Sequence, residues 1–257
     1  MPWRSLYSPG MPVELLERVL LPRPHAAPVV ATWRRTGSHE AVVLVHGILC
    51  WRRLPEIEAV AEHLAAAGRD VVSVDMHGHG DDPARFTWGR EEWRQVDGAV
   101  RALSETYRRV SVLGFSFGGF HAARAAMAGA PIHRLILIGA PVDLRVRDIL
   151  PWRLRFFAAL PHIVGRQRRP TRMSRPSGLR ALAVRSEEAA EIRQPTLVVH
   201  GTRDWVIGRR HAARWAAWVP GARLVEISTG LHAEYLMRSH PEELLAAVDR
   251  FLDEDAP

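Results

Sequence analysis

The chain has 257 residues and a mass of 28.9 kDa, with 47% hydrophobic and 25% charged residues, which excludes wholesale disorder and suits one large domain better than two. A single cysteine, Cys50, excludes an internal disulfide and any cysteine-built zinc or iron–sulfur site. The net charge of +7 rests entirely on arginine, since lysine is absent; residues 141–190 hold eleven arginines against four acids, and the balanced remainder has no basic stripe that would read as a nucleic-acid surface.

In chain order, a proline-punctuated N-terminal region holds edge strands near 13–20 and 28–34. Ala41–His46 (AVVLVH) is a short valine-rich run, as a strand buried on both faces requires. Pro55–Ala67 places Ile57, Val60, Ala61 and Leu64 on one helical stripe, and Gly68 stops it. Asp70–Asp75 is a strand. Trp93, Val96, Val100, Leu103 and Tyr107 recur at spacings of three and four, which predicts a second amphipathic helix. Val110–Leu113 is a strand and Gly119–Ala128 an alanine-rich helix. Leu135–Ile138 and Thr196–Val199 are strands, Leu224–Ile227 is a weaker one, and a last helix opens near Pro241. Strand and helix alternating through short links predict an α/β architecture: a mostly parallel sheet covered by helices on both faces. The rhythm breaks between Ala140 and Gln194, where bulky apolar residues mix with arginines and prolines. The expected division is therefore a first core part at 1–140, an inserted cap at 141–193 and a second core part at 194–257. An insertion at the carboxyl edge of such a sheet lies where ligand sites form.

The chemistry is concentrated in Arg109–Gly119 (RVSVLGFSFGG), where a strand runs into Gly114-Phe115-Ser116-Phe117-Gly118 and then a small-residue helix. This is G-x-S-x-G in its strand–turn–helix context. Ser116 sits on a strained turn that lifts its hydroxyl above the sheet, while the glycines allow helix and strand to approach. A serine hydroxyl needs a base, and the base an orienting acid. His200-Gly201-Thr202-Arg203-Asp204 follows one strand and Gly230-Leu231-His232 the next, which gives the order Ser116, Asp204, His232. Asp143, after LILIGAPVD, competes for the acid's place. The oxyanion hole is expected from the backbone amides of Phe117 and Ile48, the latter in the turn His46-Gly47-Ile48-Leu49. His46 is read as a structural residue of that loop.

These residues resemble the α/β-hydrolase superfamily: His46-Gly47, Asp75–Gly80 (DMHGHG), the Gly114–Gly118 elbow, Asp204 and His232, over about residues 35–254. The resemblance is strongest to small serine esterases, acylglycerol lipases and thioesterases with a short helical cap. It implies the α/β-hydrolase fold and a serine hydrolase that works without a cofactor. The Ile-Leu-Cys-Trp continuation of the His-Gly loop departs from acetyl-esterase types, and Ser116 stands where dehalogenases and epoxide hydrolases carry aspartate. Cofactor-free haloperoxidases share the same three residues, and some proteins of this fold only bind ligands, so both remain alternatives.

His77, Gly78, His79, Gly80 and Asp81 imitate the start of a dinuclear zinc site, but the further ligands such a site needs are not evident, and no metal is expected. Without lysine there is no P-loop of the usual kind. Cys50 is read as a small buried hydrophobe and His121 as a packing residue. Ile149, Leu150, Trp152, Phe156, Phe157, Leu160, Ile163 and Val164 form an apolar patch for an acyl pocket or for cap packing, with Phe86 and Trp88 as its facing wall. The expected substrate is a carboxylic ester with a moderately sized acyl or aryl group. The alternative is a thioester on coenzyme A or another anionic carrier, drawn by the arginines. No apolar run approaches the ~18 residues of a membrane span, and MPWRSLYSPG has no continuous apolar stretch of a leader, so a cytoplasmic protein without stable membrane insertion is expected.

Overall fold

The structure, a computed structural model, describes residues 13–23, 26–143, 169–175 and 182–254. Eight strands form one sheet: β1 (Glu14–Leu21), β2 (Val29–Arg35), β3 (Glu40–Val45), β4 (Asp70–Val74), β5 (Arg109–Phe115), β6 (Leu135–Ile138), β7 (Thr196–Gly201) and β8 (Arg223–Ile227). Their order is β1-β2-β4-β3-β5-β6-β7-β8. β2 pairs antiparallel with both β1 and β4, and every pairing from β4 to β8 is parallel. The mostly parallel sheet is the one expected from the alternating elements, and its strand order is that of the α/β-hydrolase fold the resemblance implies.

The valine-rich strands are buried on both faces, and their two-residue side-chain period divides the core in two. Val43, Val45, Val72, Val112 and Leu137 pack against α2 (Glu92–Ser104), α3 (Phe117–Met127) and α5 (Arg210–Trp218). Val42, Leu44, Leu113, Ile136 and Val199 face α1 (Pro55–Ala66) and α7 (Pro241–Asp253). The predicted helix through Tyr107 is shorter than its periodicity suggests. Thr106 and Tyr107 both return their amides to Leu103 O, and α2 ends at Ser104. Tyr107 still reaches the core, and its hydroxyl donates to Asp70. Trp93 is only half-buried, and the residue beside it, Glu92, is the fully buried one: it accepts from the Thr87 and Gly89 amides (2.5 and 2.7 Å), closing the loop before α2.

The long segment after β6 is tied down where it is described. Val184 N donates to Val142 O (2.8 Å). Leu182, Val184 and Ile192 join the core, with the short helix α4 (Ser186–Ala189) between them. Upstream, Met173 bridges to Phe86 in parallel fashion, with Phe86 N donating to Arg172 O (2.8 Å) and Ser174 N to Phe86 O (2.9 Å). The apolar patch at 149–164 lies outside the described residues. Among those described, no helix is long and apolar enough to cross a membrane.

Candidate active site

β5 delivers its chain directly to Ser116, which has φ 50° and ψ −119° and precedes the first residue of α3. For a residue with a Cβ this is a sparsely populated conformation, kept only where the surroundings enforce it. Here Ser116 N donates to Ile138 O (2.7 Å), while Gly119 N donates back to Ser116 O (3.0 Å). Gly118 is required by close approach, because a Cβ there would collide with the Val45 and His46 carbonyl oxygens. The turn therefore wedges β3 and α3 together with the serine at the carboxyl edge of the sheet.

His232 follows β8, on the loop into the 3-10 turn Ala233–Tyr235, and is buried. Its Nε2 lies 2.8 Å from Ser116 Oγ, and its Nδ1 lies 2.6 Å from Asp204 Oδ2. Asp204 stands in the turn after β7, and its other oxygen accepts the amides of Val206 and Ile207, both at 2.8 Å. The carboxylate is thus held from behind while it faces the ring. Burial alone would push the His232 ring down, but the Asp204 carboxylate outweighs it by charge and hydrogen bond, and Glu234 adds to it, leaving the ring above its ordinary value. A ring held this way can accept a proton from Ser116 Oγ at Nε2 while Nδ1–H stays on the carboxylate.

The structure thus brings Ser116, His232 and Asp204 into one hydrogen-bonded chain. Asp143, the competing acid, lies elsewhere: its carboxylate pairs with Arg214 at 3.0 Å. The amides of Ile48 and Phe117 make no hydrogen bond among the described residues and are free to donate. His46 and His79 organise the loop that carries Ile48. His46 Nε2 accepts from Met76 N (3.1 Å), so its proton is on Nδ1, against Gly47 O (2.7 Å). His79 Nε2 accepts from Leu49 N (3.1 Å), and Nδ1 faces His77 O (2.9 Å). Burial pushes the two rings down to about 4 and about 3, so both remain neutral acceptors.

The HGHGD segment is therefore used for scaffolding. Asp81 binds Arg52 (2.9 Å), and Arg52 is itself buried on Asp75. Among the described residues, no group of three or more His, Cys, Asp or Glu is placed to hold a metal ion. Phe86 is buried edge-on against Phe117 (5.6 Å between centroids) and borders half-buried Trp88 (5.4 Å). His121 packs edge-on against Phe117 at 4.6 Å. Cys50 is half-buried and has a polar neighbour: its thiol lies 3.3 Å from Glu234 Oε1. Sequence reasoning missed Glu234, although it stands only two residues beyond His232. It also missed the buried Arg52–Asp75 pair, which nothing in the local pattern of either segment announces.

The sequence matches the Alpha/beta hydrolase family over residues 42–248. It is similar to the polyketide synthase ThaQ of Burkholderia thailandensis, with 28% identity over 298 aligned residues, covering 97% of this chain but only 13% of that protein. It is also similar to the pimeloyl-[acyl-carrier protein] methyl ester esterase of Aromatoleum aromaticum, at 27% identity, covering 81% of this chain and 96% of that one. In fold it matches the Pyrococcus furiosus esterase Pf2001 with a TM-score of 0.73 at 20% identity, over 93% of this chain and 90% of that one. The 2-hydroxy-6-oxo-6-phenylhexa-2,4-dienoate hydrolase of Rhodococcus sp. strain RHA1 matches with a TM-score of 0.75 at 15% identity, over 95% of this chain and 100% of that one.

Proposed function

The chain belongs to the Alpha/beta hydrolase family, and from that premise we propose that it cleaves a carboxylic ester through an acyl-enzyme formed on Ser116. The observation that carries this reading is the unbroken chain Ser116 Oγ–His232–Asp204, at 2.8 and 2.6 Å. His232 Nε2 takes the hydroxyl proton as Oγ attacks the ester carbonyl carbon, and the carbonyl π pair moves onto oxygen. The amides of Ile48 and Phe117 receive that oxyanion, each contributing about 3 kcal/mol. Collapse of the intermediate breaks the carbon–oxygen bond, and the imidazolium returns its proton to the departing alkoxide. Water, deprotonated by the same nitrogen, repeats the sequence on the acyl-enzyme and releases a carboxylic acid. Asp204 holds the ring and balances its transient charge.

The substrate carries an apolar acyl or aryl group of moderate size, held in an apolar pocket. A pocket of this kind gains roughly 0.8 kcal/mol per buried methylene. A second reading has its own support. One similar protein is named for an ester on an acyl-carrier-protein-linked chain and another is a polyketide synthase, and the arginine excess at 141–190 suits an anionic carrier. In that reading the acyl chain arrives on a carrier or on coenzyme A, and the bond cleaved is an ester or the thioester itself.

Fluorophosphonate treatment followed by peptide mass analysis tests the chemistry. The expected result is one adduct, on Ser116, with loss of esterase activity. Folded protein that takes no adduct refutes the hydrolase mechanism and favours a ligand-binding role. Matched free, coenzyme A-linked and carrier-linked substrates with one acyl chain separate the two readings. A carrier or coenzyme A thioester cleaved at least about tenfold better in kcat/KM than its matched ester replaces the esterase reading. A steep loss with salt marks steering by arginine.

A further inference from the structure

Glu234 joins the His232 turn to the loop that carries Ile48. It is 5% exposed, and its Oε1 accepts the Gly47 amide (3.0 Å) and the Cys50 thiol (3.3 Å). Among the described residues it has no arginine partner. A buried carboxylate held only by neutral donors is an expensive way to join two loops; a neutral side chain accepts the same bonds with less desolvation. The backbone is bent to put it there, since Ala233, between His232 and Glu234, has φ 37°. The opposite side of the contact is equally constrained. A Cβ at Gly47 would collide with Glu234 Oε1 and come within 3.1 Å of Ser116 Cβ. Gly47 thus stands between the carboxylate and the serine, and the next amide along is that of Ile48.

We propose that Glu234 is a positioning residue for ester hydrolysis: it fixes the Gly47–Ile48 turn in donor geometry, and it supplies a second negative charge, beside Asp204, to the imidazolium that His232 becomes during turnover. The proposal rests on the reading of Ser116, His232 and Asp204 as the reacting set. Among the described residues, the cation that compensates Glu234 is then one that exists only while the reaction proceeds. The groups facing His232 are Asp204 and the buried His200 from the end of β7, Ser116 from the elbow, and Glu234 from its own turn. His200 and His232 oppose each other's protonation, whereas both carboxylates favour the charged His232 ring. Glu234 also has a cost to the reaction. Its charge opposes the oxyanion held by the neighbouring amide, so the ordering of the loop and the charge have separable effects.

Two substitutions separate them. Glu234→Gln keeps an oxygen that accepts from Gly47 and removes the charge; Glu234→Ala removes both. Active sites are counted by fluorophosphonate titration, so unfolded protein does not enter the rates. In Glu234→Ala we expect kcat to fall at least about tenfold with a smaller change in KM, as a displaced oxyanion donor requires, and in Glu234→Gln most of that loss is recovered. In Glu234→Gln the acidic limb of kcat/KM moves to lower pH. Measured against its own plateau, the variant is roughly threefold or more better than the parent at the foot of that limb. A purely structural tie moves neither the limb nor the rate per titrated site. Parental kcat in Glu234→Ala, or an unmoved or upward-shifted limb in Glu234→Gln, overturns the proposal. If Glu234→Ala does not fold, the limb of Glu234→Gln decides alone. Ser116→Ala distinguishes the failures: if it stays active, the hydrolase reading itself falls, whereas an inactive Ser116→Ala beside parental Glu234 variants removes only the role of Glu234.

Discussion

Acid should dismantle the scaffold beneath the site, and the magnitude follows from its histidines. His46 and His79 each accept a backbone amide on an unprotonated nitrogen, and burial holds their rings at about 4 and about 3. Burial likewise pushes His121 well below its ordinary value. In the unfolded chain each ring protonates near pH 6.5. Below that pH, and down to the folded values, the unfolded state therefore binds up to three more protons than the native state. Stability is complete above pH 6.5 and falls with pH at about 1.4 kcal/mol per unit for each ring. From pH 7.5 to 5, His46 and His79 together remove on the order of 4 kcal/mol, with His121 adding to the loss in the same direction, against the ~5–15 kcal/mol that typically holds a domain folded. Two groups oppose this. His232 is raised, and burial raises the Asp75 carboxyl, so the native state takes up those protons first and returns part of the loss. Guanidinium unfolding followed by tryptophan fluorescence at several pH values measures the net slope. His79→Gln should cost stability at neutral pH yet flatten the slope. Stability that is constant or rising from pH 7 to pH 5 refutes the argument.

Other outcomes follow from the site. Asp204→Asn should lower kcat by on the order of 10³-fold or more with little loss of folding, while Asp143→Asn, which breaks the pair with Arg214, should keep near-parental kcat; the reverse pattern in steady-state assays would return the acid's role to Asp143. The kcat/KM profile should lose activity as pH falls through a value above 6.5, because His232 must be neutral to act and its partners hold the ring up; a limb below 6.5 contradicts the geometry. Gly47→Ala should lower kcat and label more slowly with fluorophosphonate, because its methyl group meets Glu234 Oε1; a parental labelling rate would show that the loop yields.

The fold was legible because its signals are local. β3, β4 and β6 are short runs of Val, Ile and Leu, and the elbow announces itself through glycines whose absence of Cβ is needed within a few residues. The order Ser116, Asp204, His232 was readable because each follows a strand end, and strand ends converge on one edge of a parallel sheet. What stayed hidden depends on contacts across long separations. Glu234 meets Gly47 across 187 positions and Arg52 meets Asp75 across 23, and no spacing rule encodes either partnership. The periodicity through Tyr107 overshot the helix because a turn at Leu103 returned the residue to the same face without continuing the helix. His79 imitates a metal ligand because residue type alone does not reveal that its Nε2 already accepts the Leu49 amide.

The hydrogen bond from Val184 N to Val142 O has a consequence for how such a chain diversifies. It joins the two ends of the long segment that leaves after β6, so the sheet meets this excursion at one fixed doorway. Closing a loop costs only about 0.6 kcal/mol more each time its length doubles. Once that doorway is held, residues can be added or removed beyond it with little penalty to the frame that aligns Ser116, Asp204 and His232. Changes of length between Val142 and Val184 can in this way accumulate while the frame around Ser116, Asp204 and His232 stands still.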